Sequence, residues 1–81
     1  MTAHQMIDAV FQMTGPELCS LMRKHRVTIR DLKTRTGFTM KRIRERRETG
    51  LIGHAAIDWY EAITGSLTPR MRAALKSAYN G

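Results

Sequence analysis

Residues 27–50 read VTIRDLKTRTGFTMKRIRERRETG, and the fold turns on this stretch. Thr28 with Asp31 three positions on is a capping pair that starts a helix. That helix runs to about Thr36, with Ile29 and Leu32 turned inward, and Gly37 supplies the left-handed residue that ends it. Only Gly37-Phe38-Thr39 separates it from a second helix, capped by Thr39 and running from Met40 to about Glu48. Met40 and Ile43 can face inward there, which leaves Lys41, Arg42, Arg44 and Arg46 mostly outside. Thr49-Gly50 stops it. Two short helices across so tight a turn make the helix-turn-helix pattern. The turn fixes the second helix at a steep angle, so that it protrudes far enough to enter a DNA major groove about 12 Å wide.

The flanks supply supporting helices. Upstream, Thr14 with Glu17 forms a capping box, and Pro16 suits the first turn, where its missing N–H costs nothing. Leu18, Leu21, Met22 and His25 follow helical spacing, and basic residues crowd the C-terminal end, as the helix dipole prefers. Before it, Thr2 and Gln5 read as another box, and Met6, Ile7, Val10, Phe11 and Met13 make a stripe, which predicts a helix over about Ala3 to Met13. Downstream, Gly50-Leu51-Ile52-Gly53 reads as a loop. A helix from about His54 to Thr64 follows, with Ala56, Ile57, Tyr60 and Ile63 on one stripe and Trp59 beside it. Thr68 and Pro69 open a last helix, to about Ala78, whose inward residues are Met71, Ala74, Leu75 and Ala78. No strand pattern is evident. The expectation is an all-α fold, a compact bundle of five or six short helices containing a helix-turn-helix.

Charge is the most informative feature of the composition. Fourteen Lys and Arg stand against seven Asp and Glu, a net +7. From Arg23 to Glu48 there are eleven basic and three acidic residues, a local +8, and the rest of the chain carries −1. A field so localised attracts polyanions. KRIRERR, from Lys41 to Arg47, holds five basic residues in seven. Arg42 and Arg46 lie one turn apart and repel, so a merely solvated face would be an unusual use of them.

Other features exclude function classes. The 81 residues leave room for one small domain, and 6% aromatic content puts the core on aliphatic residues and Met. A single cysteine, Cys19, rules out an internal disulfide and a Cys-based zinc site. His4, His25 and His54 are too scattered for a local ligand pair, so no metal and no cofactor is expected. Cys19, His25 and Asp31 do not have the spacing of a nucleophile with its base, and the chain reads as a non-enzyme with no catalytic residues. His54 reads as a solvated turn residue. No run approaches a membrane span, no small-molecule ligand is evident, and the expected location is the reducing cytoplasm.

VTIRDLKTRTGFTMKRIRERRETG resembles the helix-turn-helix core of the Cro/C1-type repressors, the xenobiotic-response-element family, and TGPELCSLMRKHR before it resembles that family's first helix. The resemblance covers about Met13 to Ile63. Leu32, Gly37, Phe38 and Ile43 fall where the family has its apolar residue, turn glycine, turn apolar residue and recognition-helix core residue. Lys33 departs from a usually small residue, and Thr36 and Arg46 from usually apolar ones. The resemblance implies a lambda-repressor-like domain over 14–81, its motif at about 28–48, with 1–13 as an N-terminal helical extension. Family members often begin near Met13, which makes Met13 a second candidate start. On size, the branch is that of small plasmid- or phage-borne regulators. By the family pattern Thr39, Met40, Lys41, Arg44 and Glu45 project toward bases. Thr28, Arg30, Arg42 and Arg47 look like phosphate contacts.

The function expected is sequence-specific binding of double-stranded DNA as a transcriptional regulator, a repressor that occludes a promoter at an inverted repeat. A homodimer is expected, because one domain this small reads about half a site. Met6, Val10 and Phe11, or Trp59 and Ile63, are candidate interfaces. Trp59 and Tyr60 fit core or dimer packing better than a stacking platform. The alternatives are an RNA-binding module, which would usually interleave aromatics with the basic residues, and a DNA-binding antitoxin or adaptor with a protein partner. A membrane-surface role would need bulkier apolar residues opposite the charges.

Overall fold

Four of the five described helices open at a hydrogen bond between residues three apart, and the fourth in order has no side-chain cap. In the computed structural model, which describes residues 11–80 and the side chains of 11–77, the order is β1 (Gln12–Met13), α1 (Gly15–Lys24), α2 (Ile29–Thr36), α3 (Met40–Thr49), β2 (Leu51–Ile52), α4 (Gly53–Thr64) and α5 (Pro69–Asn80). At α1 the Thr14 hydroxyl accepts from the Glu17 N–H, and the Glu17 carboxylate accepts from the Thr14 N–H, both at 3.2 Å. Thr28 and Asp31 make the same reciprocal pair at α2, at 3.1 and 2.9 Å. Thr39 caps α3 from one side only, accepting from the Arg42 N–H at 3.2 Å. Thr68 accepts from Met71 at 3.1 Å to open α5.

The helix ends are equally local. Gly37 and Gly65 take the left-handed conformation after α2 and α4. After α1 that position belongs to Arg26, with φ 55°. The Arg26 N–H donates to Arg23 and the Val27 N–H to Met22, at 3.1 and 2.8 Å. This pair of hydrogen bonds closes the helix, and Val27 and Met22 are buried in the same core.

The helices pack as a small all-α bundle, with a radius of gyration of 12.7 Å, close to the roughly 12 Å of a compact chain this long. Leu18, Leu32, Ile43 and Ile57 are the largest fully buried side chains, one from each of the first four helices. Trp59 and Ile63 of α4 join the same core as Leu18, Leu32 and Ile43. A second, smaller cluster sets Phe11 against Ile57, with Leu67, Met71, Ala74 and Leu75 of the last segment packed on it.

The structure corrects the expected helix before α1 at its described end. Gln12–Met13 is extended and pairs antiparallel with Leu51–Ile52, Gln12 opposite Ile52 and Met13 opposite Leu51. The segment Gly50–Gly53 is therefore no plain loop. The reason is that residues 11–13 find backbone partners on this segment: the Gly53 N–H donates to the Phe11 carbonyl at 2.7 Å. The same geometry seats Phe11 on Ile57. The rest of that stripe, Met6, Ile7 and Val10, lies outside the described residues.

Gly50 joins α3 to β2 with φ 83° and ψ −174°, a region essentially reserved for glycine. A Cβ there would also stand 2.6 Å from the Met13 carbonyl oxygen. The close approach ties the C-terminal end of α3 to the ladder.

Candidate functional site

The outer surface of α2, its following turn and α3 carries most of the charge. Arg23, Lys24, Arg26, Arg30, Lys33, Arg35, Lys41, Arg42 and Arg44 are all exposed, and Arg46 and Arg47 are half-buried. Among the described residues no Lys or Arg stands in a salt bridge with a carboxylate, so this positive field is not neutralised from within. The first turn of α3 holds no acidic residue. Lys41 and Arg42 stand there instead, at the end where the helix dipole already favours anions. That placement works against the isolated helix and in favour of a bound anion.

The side chains expected to face bases do not share one environment. Thr39, Lys41, Arg44 and Glu45 are exposed, and Met40 is half-buried, one turn before buried Ile43. The Thr39 hydroxyl keeps its own proton free to donate outward while it accepts from Arg42. Lys41, Arg44 and Glu45 make no hydrogen bond through their side chains to the described protein.

The side chains expected at phosphates fall in three places. Thr28 and Arg47 come together in one cleft between α1 and the start of α2, together with Arg23 and Cys19. There the Arg47 Nε–H donates to the Cys19 sulfur at 3.3 Å, which leaves the outer guanidinium nitrogens to a ligand. Arg30 is exposed in the first turn of α2. Arg42 is exposed in the first turn of α3, its guanidinium carbon 5.6 Å from the centre of the Phe38 ring.

Several roles were not visible in sequence. Arg35, one of the eleven basic residues, donates to the carbonyls of Ala62 and Ile63 at 2.9 and 3.5 Å, so it caps the C-terminal end of α4. Its partners lie 27 and 28 residues away, and no local pattern announces them. The four-residue spacing of Phe38 and Arg42 was a usable signal for their contact. Thr36, Lys33 and Arg46, the three residues noted as unusual in the sequence, sit in three different settings. The Thr36 hydroxyl donates to Leu32 at 2.7 Å and accepts from the Phe38 N–H at 3.2 Å. Lys33 is exposed. Arg46 is half-buried in the cleft between α3 and the ladder, where its alkyl stem can cover apolar surface.

Two further expectations are corrected. Trp59 and Ile63 are each 3% exposed and belong to the core, so they offer no free stripe for a partner subunit; Phe11, at 9%, is also buried within the chain. His54 is half-buried in the first turn of α4 rather than solvated.

The Asp31 carboxyl is held below its usual range. The Thr28 backbone N–H and then the Thr28 hydroxyl lower its pKa, desolvation opposes them in part, and Arg35 adds the smallest pull downward. Among the described residues no three His, Cys, Asp or Glu side chains gather to hold a metal, and no helix is long and apolar enough to cross a membrane.

The fold and this surface define a small all-α bundle with an unneutralised cationic face on two consecutive short helices. No protein-family model, curated protein or solved structure matches the chain.

Proposed function

We propose that this chain is a sequence-specific double-stranded-DNA-binding transcriptional regulator of Cro/C1 type, a cytoplasmic repressor that occludes a promoter by binding as a homodimer to an inverted repeat. In this proposal α2 and α3 are the helix-turn-helix. Thr39, Lys41, Arg44 and Glu45 read base edges, with Met40 at the margin of that surface. Thr28, Arg30, Arg42 and Arg47 hold phosphates. Arg can bridge guanine O6 and N7, and Glu can accept from cytosine N4. The chemistry asked of the protein is recognition alone, with no reaction and no cofactor.

The observation that carries the proposal is the exposed basic charge, without carboxylate partners among the described residues, on two short helices separated by three residues, the second of which opens with Lys41 and Arg42 and no acidic residue. Such a face is costly without a polyanion and favourable with one. Selection of bound sites from a pool of random duplex DNA tests it. An enriched inverted repeat is the expected outcome. No enrichment together with tight binding of single-stranded or structured RNA would transfer the same face to RNA.

A further inference from the structure

We propose that Phe38 positions Arg42 for the DNA backbone, with Trp59 as the fixed wall behind it, an inference that rests on the DNA-binding proposal above. Phe38 is 38% exposed, one of two large apolar side chains so placed among the described residues. An exposed aromatic in a three-residue turn needs a reason, because a polar residue would make the same turn. Behind its ring lies Trp59, with centroids 5.7 Å apart and planes tilted by 37°. Trp59 is 3% exposed and cannot yield. The backbone is held on both sides, by the Phe38 N–H on the Thr36 hydroxyl and by the Arg42 N–H on the Thr39 hydroxyl.

Arg42 lies over this ring. A carboxylate in the same place would steer the guanidinium and also cancel its charge. An aromatic face steers it by its negative quadrupole and leaves the full charge and the N–H donors to a phosphate. Arg42 thus loses less rotamer freedom on docking than an unsupported arginine would. Phe38 contributes to DNA affinity through Arg42, without touching DNA itself.

The test is a double-mutant cycle on the duplex enriched from the random pool, read by fluorescence anisotropy. Phe38→Leu keeps an apolar contact with Trp59 and removes the π face. It should weaken binding roughly two- to fivefold, and Phe38→Tyr should restore wild-type affinity. In an Arg42→Ala background Phe38→Leu should cost nothing further. In the free protein the δ protons of Arg42 should show a ring-current shift that Phe38→Leu abolishes. Phe38→Met serves the same cycle if the Leu variant proves unfolded by circular dichroism. Unchanged affinity in the ring-less variant, or an equal loss with and without Arg42, overturns the inference while leaving the proposed function intact. A wild-type chain that binds no duplex overturns both.

Discussion

Replacing Gly50 with alanine should be among the most damaging single-methyl changes this chain can suffer. Two independent penalties meet there. The conformation at φ 83° and ψ −174° is one that a residue with a Cβ adopts only at about 1–3 kcal/mol. The added Cβ would lie 2.6 Å from the Met13 carbonyl oxygen and 3.1 Å from the Thr14 Cα. Both atoms are backbone, so relief requires moving β1 away from β2, a strain of about 1–3 kcal/mol. Together that is about 2–6 kcal/mol, against a total of roughly 4–12 kcal/mol for a domain of this length. Gly37→Ala is the internal reference. Gly37 has φ 80° and ψ 0° with nothing within 4 Å of where a Cβ would stand, so only the left-handed cost of about 1–2 kcal/mol applies. Thermal melts followed by circular dichroism should place Gly50→Ala well below Gly37→Ala, each kcal/mol moving the midpoint by about 4–8 °C. Equal midpoints for the two variants would show that the close approach of Gly50 to Met13 does not constrain the fold.

Three further outcomes are expected. Arg44→Ala should cost about 1–3 kcal/mol on the selected site and relax preference at one or two base pairs, whereas Arg30→Ala should weaken selected and scrambled duplexes alike and lower the salt slope by about one; equal losses on both duplexes for Arg44→Ala would mean that α3 is placed in the wrong register. With about six to eight phosphate contacts, log affinity should fall against log salt with a slope of roughly −5 to −7, and a slope near zero would remove the cationic face from the binding surface. Because Asp31 titrates below its ordinary value when folded, its contribution is full above about pH 4 and is lost as the pH falls through the lowered value; melts across the acid range should show a smaller loss for Asp31→Asn than for the parent, and parallel curves would contradict the capping role.

Much of what residues three or four apart decide between themselves could be read from the amino-acid order alone. The starts of α1, α2, α3 and α5 were legible at Thr14, Thr28, Thr39 and Thr68, because a capping hydroxyl and the amide it accepts from are near neighbours in the chain. The left-handed ends at Gly37 and Gly65 were legible for the same reason, and so was the concentration of charge between Arg23 and Glu48. The stripe of Phe11 and Met13 was equally local, yet it misled. The same residues satisfy a helical period and a strand, and the choice was made by Leu51–Ile52 from the far side of α3. Arg35 looked like one more surface cation until the α4 carbonyls came within reach of it. Arg47 became half-buried because Cys19 of another helix lay beside it. Phe38 meets Trp59 because α4 lies back against the turn. Each of these depends on groups about twenty to forty residues apart, and no period or spacing in the sequence encodes which distant group will fill the space. Packing the helices around Leu18, Leu32 and Ile43 made that selection, since side chains are buried by whichever surface closes over them.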